Sequence, residues 1–281
     1  MRIKIGADST CDLSQALIEK NDIYIVPLHV VKDDKEYSDG IDIVPSDIFD
    51  HVANGGDLVS TAAVSVGEYE EYFAKFANDY DAVIHINLGS GFSCTHINAC
   101  EAAKSFENVY VVDSQNLSTG HGHVVLEAVR LAAEGKTPEA IVEELNDIAP
   151  RVETSFILDQ LEYMKKGGRC STIVYLGANM LKIKPCIEVI DGKMKLGKKY
   201  RGSWANVLKE YVKDRLKGRE DIIEDKIFIT YTTATEAALE GVYANVRELA
   251  NFENIYETTA GCTVSAHCGP YCLGILFIRK K

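Results

Sequence analysis

The chain has 281 residues, a length that predicts two domains or one large one. Hydrophobic residues make up 46% and charged residues 26%, values typical of globular proteins. The net charge of −12 disfavours a general nucleic-acid binder, because an acidic chain repels phosphates. The N-terminus lacks an apolar stretch followed by a cleavage site, and no apolar run approaches about 18 residues. We therefore expect a cytoplasmic protein without stable membrane insertion.

The first half of the chain alternates strand and helix patterns. Strands are predicted at 2–9, 23–31, 82–88 and 109–114, and helices at 14–21, 67–79, 122–135 and 137–149. Thr137 is the predicted N-cap of the last helix, with Pro138 at its first position. This alternation is typical of a parallel sheet covered by helices, so residues 1–150 are predicted to form a Rossmann-like α/β domain.

The second half, residues 151–281, has a different pattern. Two alternating runs at 186–200 meet at Asp191-Gly192, which is a strong hairpin signal. Strands at 226–232, 254–260 and 272–280 and a helix at 235–250 complete a second α/β domain with a mixed or antiparallel sheet packed by helices. The segment 160–220 holds 15 Lys+Arg against 6 Asp+Glu, a local charge of +9. It is either a solvated basic face or a surface for a phosphate or an acidic partner.

The eight cysteines do not form a disulfide pattern. Most lie singly in apolar or small-residue contexts, as reduced thiols do. The cluster AHCGPYC has the spacing C-x-x-x-C rather than the redox motif C-x-x-C, and no second ligand pair lies near it. We expect neither a metal nor a redox role.

The stretch VIHINLGSGFSCTHINACEAA, residues 83–103, reads as a buried strand, a glycine-rich turn and a helix. It admits three functions. A dinucleotide site would use Gly89, Gly91 and Asp113, but Cys94 stands where Gly or Ala is needed for helix packing.

A serine hydrolase of acyl esters would use Ser93 as nucleophile, Asp113 or Asp159, and His267. However, Thr95 occupies a position that a nucleophile elbow needs as glycine. The third function is a neutral anion cradle, in which the hydroxyls of Ser93 and Thr95 and a helix N-terminus hold a carboxylate. The residues alone leave these alternatives open.

Six blocks of the sequence together resemble one known family. They are ADSTCDL (7–13), STAAVSVGEYEEYF (60–73), GSGFSCTHINA (89–99), FILDQLEYMKKGGRCS (156–171), LKIKPCIEVIDGKMKLGKKYRG (181–202) and SAHCGPYCLG (265–274). From end to end the chain is similar to the DegV family of bacterial fatty-acid-binding proteins. This resemblance implies that the protein is a carrier and not an enzyme.

The resemblance implies that two α/β domains enclose one long-chain fatty acid, such as palmitate, stearate or oleate, with no cofactor. Residues 1–150 would carry the carboxylate-binding hydroxyls, and residues 151–281 would cover the acyl chain and present the basic surface. Thr61, Ser93 and His267 fall on the family's head-group positions. Arg169 falls on the position that engages a separate ATP-binding kinase subunit, which would convert the bound acid to an acyl phosphate. A DNA-binding role, sometimes attached to the family, is disfavoured by the charge of −12.

The chain departs from the family pattern near these positions. Ala62, Ala63 and Val64 replace polar or proline residues beside Thr61, and Cys94 replaces a glycine after Ser93; His96 and Tyr271 replace a tyrosine and a glycine. These changes predict a drier head-group pocket, an altered acyl preference, or a member without a kinase partner. A drier pocket should raise the pKa of the bound acid.

Overall fold

The computed structural model describes residues 1–172 and 183–281. The strands of this part are β1 (Ile3–Asp8), β2 (Tyr24–Val26), β3 (His29–Lys32), β4 (Lys35–Ser38), β5 (Ser60–Ala62), β6 (Ala82–Asn87), β7 (Val109–Asp113), β8 (Val152–Ile157), β9 (Ile183–Ile190), β10 (Lys193–Arg201), β11 (Lys226–Tyr231), β12 (Asn254–Thr259) and β13 (Leu273–Ile278). Its α-helices are α1 (Gln15–Lys20), α2 (Pro45–Ala53), α3 (Val66–Ala77), α4 (Thr95–Ala103), α5 (Ser118–Ala133), α6 (Pro138–Ile148), α7 (Glu162–Gly167), α8 (Trp204–Leu216), α9 (Glu236–Leu249) and α10 (Cys262–Cys268). The first two residues of the 181–202 block, and residues 173–182 of the basic segment, lie outside the described residues.

A four-stranded parallel sheet forms the centre of the first half, with strand order β2-β1-β6-β7. Its strands are nearly continuous apolar runs, because helices cover both faces of a parallel sheet. The carboxyl ends of parallel strands meet at one edge. The turn Ser9–Cys11 after β1 and the glycine-rich loop 88–94 after β6 therefore lie beside each other.

A second, three-stranded antiparallel sheet with the order β4-β3-β5 interrupts this pattern. The sequence predicts one strand over 23–31, and this prediction is wrong in detail. Pro27 divides it into β2, which pairs with β1, and β3, which pairs with β4 and β5. Proline has no N–H to donate, so the parallel ladder ends there.

The second half contains a six-stranded sheet with the order β10-β9-β8-β13-β11-β12. Only β11 and β12 pair in parallel among its described strands. The predicted hairpin is present, and Asp191 and Gly192 have positive φ values of 53° and 66°, as a type I′ turn requires. The structure thus confirms the fold class: an α/β chain with one parallel and one mixed sheet, both packed by helices.

Helix α5 lies between the two large sheets. It begins at Ser118, earlier than the predicted start at 122; the sequence pattern missed this turn because Gly120 and Gly122 lower helix propensity. A Cβ at Gly122 would lie 2.7 Å from the carbonyl oxygen of Cys11, so glycine permits this close contact. Side chains from both sheets share one core around α5, and the domain division at residue 150 stays a prediction.

Candidate functional site

A cavity of about 140 Å³ lies where the two halves of the chain meet. Its walls come from β5, the glycine-rich loop, the start of α5, strand β10 and helix α10. Apolar side chains form most of the wall: Leu28, Leu88, Phe92, Leu117, Met194 and Val264. The four polar residues singled out from the sequence, Thr61, Ser93, Arg169 and His267, all line it as well. A largely apolar cavity with a few convergent polar groups is the usual form of a small-molecule site.

Thr61 and His267 form the central polar contact of this cavity. Thr61 lies on β5 and His267 in the last turn of α10, and Thr61 Oγ1 lies 2.9 Å from His267 Nε2. Helix α10 packs against β3, β5 and α7, which fixes the imidazole beside the small sheet. The pair presents a hydroxyl and an imidazole nitrogen, two neutral groups that pair with a carboxylate oxygen.

Burial, together with the positive charge of Arg169, lowers the pKa of His267 to about 4. The imidazole is therefore neutral at pH 7. Its Nδ1 is buried and has no hydrogen-bond partner within residues 1–172 and 183–281. Gly167 lies against this nitrogen, and a Cβ there would be 2.2 Å from it. Glycine is thus required at this position for the ring to take its place.

Ser93 precedes helix α4 in the glycine-rich loop. Its Oγ accepts a hydrogen bond from the backbone N–H of Thr95 at 3.2 Å and donates one to Thr95 Oγ1 at 3.0 Å. The N-cap residue of α4 is Cys94, so Ser93 and Thr95 flank the cap. The Ser93 hydroxyl faces the cavity beside the positive end of the α4 dipole, where an anion is favoured.

The buried carboxylate of Asp8 holds the glycine-rich loop in place. It accepts hydrogen bonds from the Leu88 backbone N–H at 2.8 Å, from Asn87, and from the buried side chains Tyr69 and His85. Burial alone would raise the pKa of Asp8, but the bonds from His85 and Tyr69 outweigh it and hold the pKa below its ordinary value. Asp8 thus ties the end of β1 to the loop that carries Ser93.

Arg169 stands at the exposed rim of the cavity. Its guanidinium donates to the carbonyl oxygens of Gly167 at 2.7 Å and Phe92 at 3.4 Å. Five basic side chains in the described part of 160–220 form ion pairs with carboxylates: Lys184, Lys195, Lys198, Arg215 and Arg219. Arg169 pairs with no carboxylate among the described residues, so its charge is available to an external anion.

The hydrolase arrangement is not assembled. Ser93 bonds to Thr95 and not to His267, which bonds instead to Thr61. Asp113 accepts from Ser90 and Gln115, and Asp159 pairs with Lys184. No described carboxylate orients the His267 ring. Nucleophilic catalysis needs a base bonded to the nucleophile and a third group orienting the base.

The residues of the dinucleotide hypothesis have structural uses. A Cβ at Gly91 would lie 2.1 Å from the carbonyl oxygen of Gly192, so this glycine permits the hairpin turn to pack on the loop. The Asp113 carboxylate accepts the backbone N–H of Ser90 at 3.1 Å and of Gln115 at 2.8 Å, and closes the loop at its base. Neither residue is free to bind a pyrophosphate or a ribose.

The departures from the family pattern fall in different places. Ala62, Ala63 and Cys94 line the cavity, which supports the prediction of a less polar head-group region. Val64 is buried in the core, and His96 lies 3.4 Å from Asn87 Oδ1. Tyr271 is 44% exposed and does not line the cavity. Its φ of 55° lies in the left-handed region that favours glycine.

Two polar residues of the cavity wall were not predicted as site residues from the sequence. Thr10 follows β1 and Thr263 lies in the first turn of α10, and both hydroxyls are buried without a partner in the described residues. Thr10 belongs to the ADSTCDL block, which could have drawn attention to it. Thr263 has no local signal, since threonine at a helix start is usually read as a capping residue.

The described residues also bear on disulfides, metal sites and membrane-spanning helices. All eight cysteines are free thiols. No group of three metal-ligating side chains occurs in the described ranges. In the same ranges, no helix combines the length and the apolar composition needed to cross a membrane.

Fold and site together define a three-sheet α/β protein that encloses a largely apolar cavity with a few polar groups in its wall. Comparison with known proteins shows the family to which the chain belongs. The family profile described as "Uncharacterised protein, DegV family" matches residues 2–280, and the chain belongs to this family. A DegV domain-containing protein of Clostridium acetobutylicum is 34% identical over 285 residues, covering 99% of each chain.

Solved structures of relatives share the fold. A DegV family protein of Thermus thermophilus, described by its fatty acid binding, is 28% identical with a TM-score of 0.88, covering 99% of this chain and 100% of its own. A stearic acid-binding protein of Eubacterium ventriosum is 26% identical with a TM-score of 0.86, and the match covers 99% of this chain and 98% of its own.

Proposed function

We propose that this chain binds one long-chain fatty acid, with the carboxylate at the Thr61–His267 pair and the tail in the apolar part of the cavity. The observation that carries this proposal is that Thr61, Ser93 and His267 line one cavity whose remaining wall is mostly apolar, with Thr61 and His267 in direct contact. The solved relatives described as fatty-acid-binding proteins support it.

The neutral head-group site suits a ligand that is held mainly by its tail. Burying a sixteen-carbon tail contributes roughly 12 kcal/mol gross, at about 0.8 kcal/mol per CH₂, before the costs of ordering. The head group then needs only hydrogen bonds that leave no unpaired buried anion. Thr61, Ser93, the α4 N-terminus and the nearby Arg169 supply them without a direct lysine clamp.

The tail has a path into the second half of the molecule. A smaller space of about 20 Å³ lies against the six-stranded sheet, lined by Phe156, Cys272 and Leu276 among others. Leu117, Val264 and Cys268 line both spaces and stand between them. A long tail passing from one space to the other moves these side chains apart, so binding includes a local rearrangement.

The test is native mass spectrometry of the purified protein, followed by denaturing extraction and identification of the lipid. A single stoichiometric long-chain fatty acid is the expected result, and it also names the preferred acyl chain. A protein that is empty, and stays empty after incubation with hexadecanoic and octadecenoic acids, overturns the proposal.

The proposal extends to the fate of the bound acid. The carboxylate is presented to a separate ATP-binding kinase subunit, which forms the acyl phosphate, and Arg169 contacts that subunit or its phosphate. The exposed position of Arg169 at the cavity rim and its lack of a carboxylate partner in the described residues support this role. The chain itself supplies no nucleophile, because the ligand carboxylate attacks the phosphate.

Arg169→Gln tests this extension in a reconstituted reaction with a fatty acid kinase subunit, and Lys209→Gln, an exposed residue on α8, is the matched control. Acyl phosphate formation should fall at least about tenfold for Arg169→Gln, as expected for a lost charge-assisted contact. Fatty acid affinity is measured alongside, so that a binding defect is separated from a transfer defect. Unchanged turnover in Arg169→Gln rejects the role of this residue.

A further inference from the structure

Two threonines in the cavity wall, Thr10 and Thr263, are not part of the proposed carboxylate site. Thr10 is fully buried and Thr263 is 5% exposed, and the Oγ1 atom of each lacks a hydrogen-bond partner among the described residues. Both residues line the same cavity. An unpaired hydroxyl in an apolar cavity carries a desolvation penalty. Two such groups in one wall therefore point to a ligand atom that pairs with them.

The two threonines are held in one wall by a shared carboxylate. Asp39 Oδ2 accepts a hydrogen bond from Ser9 Oγ at 3.1 Å and another from the Thr263 backbone N–H at 3.0 Å. Ser9 is the neighbour of Thr10, so this single oxygen links the turn after β1 to the first turn of α10. Ser9 Oγ is fixed in turn by the Leu28 backbone N–H at 3.1 Å. The wall is thus held in place without a ligand.

The wall lies at a defined distance from the head-group site. Thr263 and His267 are four residues apart on α10, so their side chains lie on one face of the helix, separated by about 6 Å along its axis. A fatty acid whose carboxylate meets His267 and Thr61 would pass the threonines with a carbon several bonds from its carboxyl group.

We infer that the cavity has a second polar subsite, formed by Thr10 and Thr263, that selects fatty acids carrying a hydroxyl group on the carboxyl-proximal part of the chain. The inference rests on the proposed fatty acid site. A neutral hydroxyl both donates and accepts, as does each threonine, so the three groups satisfy one another. A second carboxylate is disfavoured there, because the acidic residue Asp39 stands behind the wall.

The test measures dissociation constants of delipidated protein for hexadecanoic acid and for hexadecanoic acids with one hydroxyl group at successive carbons from the second to the tenth. One isomer should bind about tenfold more tightly than the plain acid, as expected for one or two new neutral hydrogen bonds. Thr10→Val and Thr263→Val should each abolish this preference. Their affinity for the plain acid should be equal or higher, since valine keeps the shape and removes the unpaired hydroxyl.

Thr258→Val is the control, since Thr258 is a buried threonine outside the cavity wall and should leave the preference intact. Thr10→Ala provides a second variant if a valine variant does not fold. Hydroxylated acids that bind no more tightly than the plain acid overturn the subsite, as does a preference that survives both valine variants. Absence of binding by every acid, the plain one included, would instead reject the proposed fatty acid function.

Discussion

Thr61 Oγ1 and His267 Nε2 lie 2.9 Å apart across 206 positions of sequence. One comes from an edge strand of the small antiparallel sheet and the other from the last turn of α10. Their contact joins the first half of the chain to the second at the polar end of the cavity. The proposed head-group site thus combines residues from both halves, and changes on either side should affect it.

Thr61→Val should weaken hexadecanoic acid binding by about tenfold, because it removes one hydrogen bond to the carboxylate and leaves His267 Nε2 unpaired. Thr61→Ser keeps the hydroxyl and should bind within about twofold of the parent protein. Isothermal titration calorimetry on delipidated protein measures both. Equal affinities for the valine and serine variants would place the carboxylate elsewhere.

Arg169→Gln should raise the pKa of His267 in the ligand-free protein from about 4, because the guanidinium charge is one of the two causes of its lowering. Burial, the larger cause, remains, so the pKa should stay below the ordinary value of a histidine. NMR titration of the imidazole nitrogens follows this change directly. An unchanged pKa would show that the Arg169 charge is screened from the ring.

Gly167→Ala should displace the His267 ring, since the new Cβ would lie 2.2 Å from Nδ1. We expect at least about a tenfold loss of fatty acid affinity, comparable with the loss of a head-group hydrogen bond. Gly241→Ala is the matched control: it lies exposed in α9, and nothing lies within 4 Å of the added Cβ.

The control substitution should leave binding unchanged and raise the free energy of unfolding by about 0.5–1 kcal/mol, because alanine is the better helix former. Calorimetry of binding and urea unfolding of both variants check these expectations. Normal affinity in Gly167→Ala would mean that the ring has room to move without loss of function.

Asp12 should make the stability of the protein depend on pH. Burial, and to a smaller extent the neighbouring Asp39, raises the pKa of Asp12 to about 8, although bonds from Ser118 and the Gly261 backbone oppose this. The folded state keeps this proton up to about pH 8, whereas the unfolded chain releases it near pH 4. Unfolding therefore releases a proton between these values, and the free energy of unfolding falls as pH rises through this window.

Asp12→Asn should remove this slope, which is at most about 1.4 kcal/mol per pH unit. Asparagine can accept from Gly261 and donate to Ser118, and it tolerates the positive φ of 49° at this position. Urea unfolding at pH 5, 6, 7 and 8 provides the comparison. A parent slope that persists in Asp12→Asn would assign the pH dependence to other groups.

Local patterns in the sequence determined most of the elements. The Thr137-Pro138 start of α6 and the Asp191-Gly192 hairpin are present where predicted, because capping and turn chemistry depend on neighbouring residues alone. Apolar runs likewise predict the strands of the parallel sheet. The family resemblance named Thr61, Ser93, Arg169 and His267, and the fold brings all four to one cavity.

The tertiary structure decided those strand pairings and helix contacts that involve residues far apart in the sequence. Pro27 ends the parallel ladder, but only the fold shows that β3 pairs with β4 and β5 and that α5 packs at Gly122 against the turn after β1. Neither partner is visible in a local window.

The wall of Thr10 and Thr263 could not be read from the sequence for the same reason. A threonine hydroxyl usually finds a partner in its own turn or helix, and only the packed structure shows that these two have none. The sequence alone predicted the strands of the parallel sheet and the hairpin at Asp191-Gly192, and its family resemblance named the candidate head-group residues. Packing between residues more than 200 positions apart decided the shape of the cavity and which of its polar groups remain for a ligand.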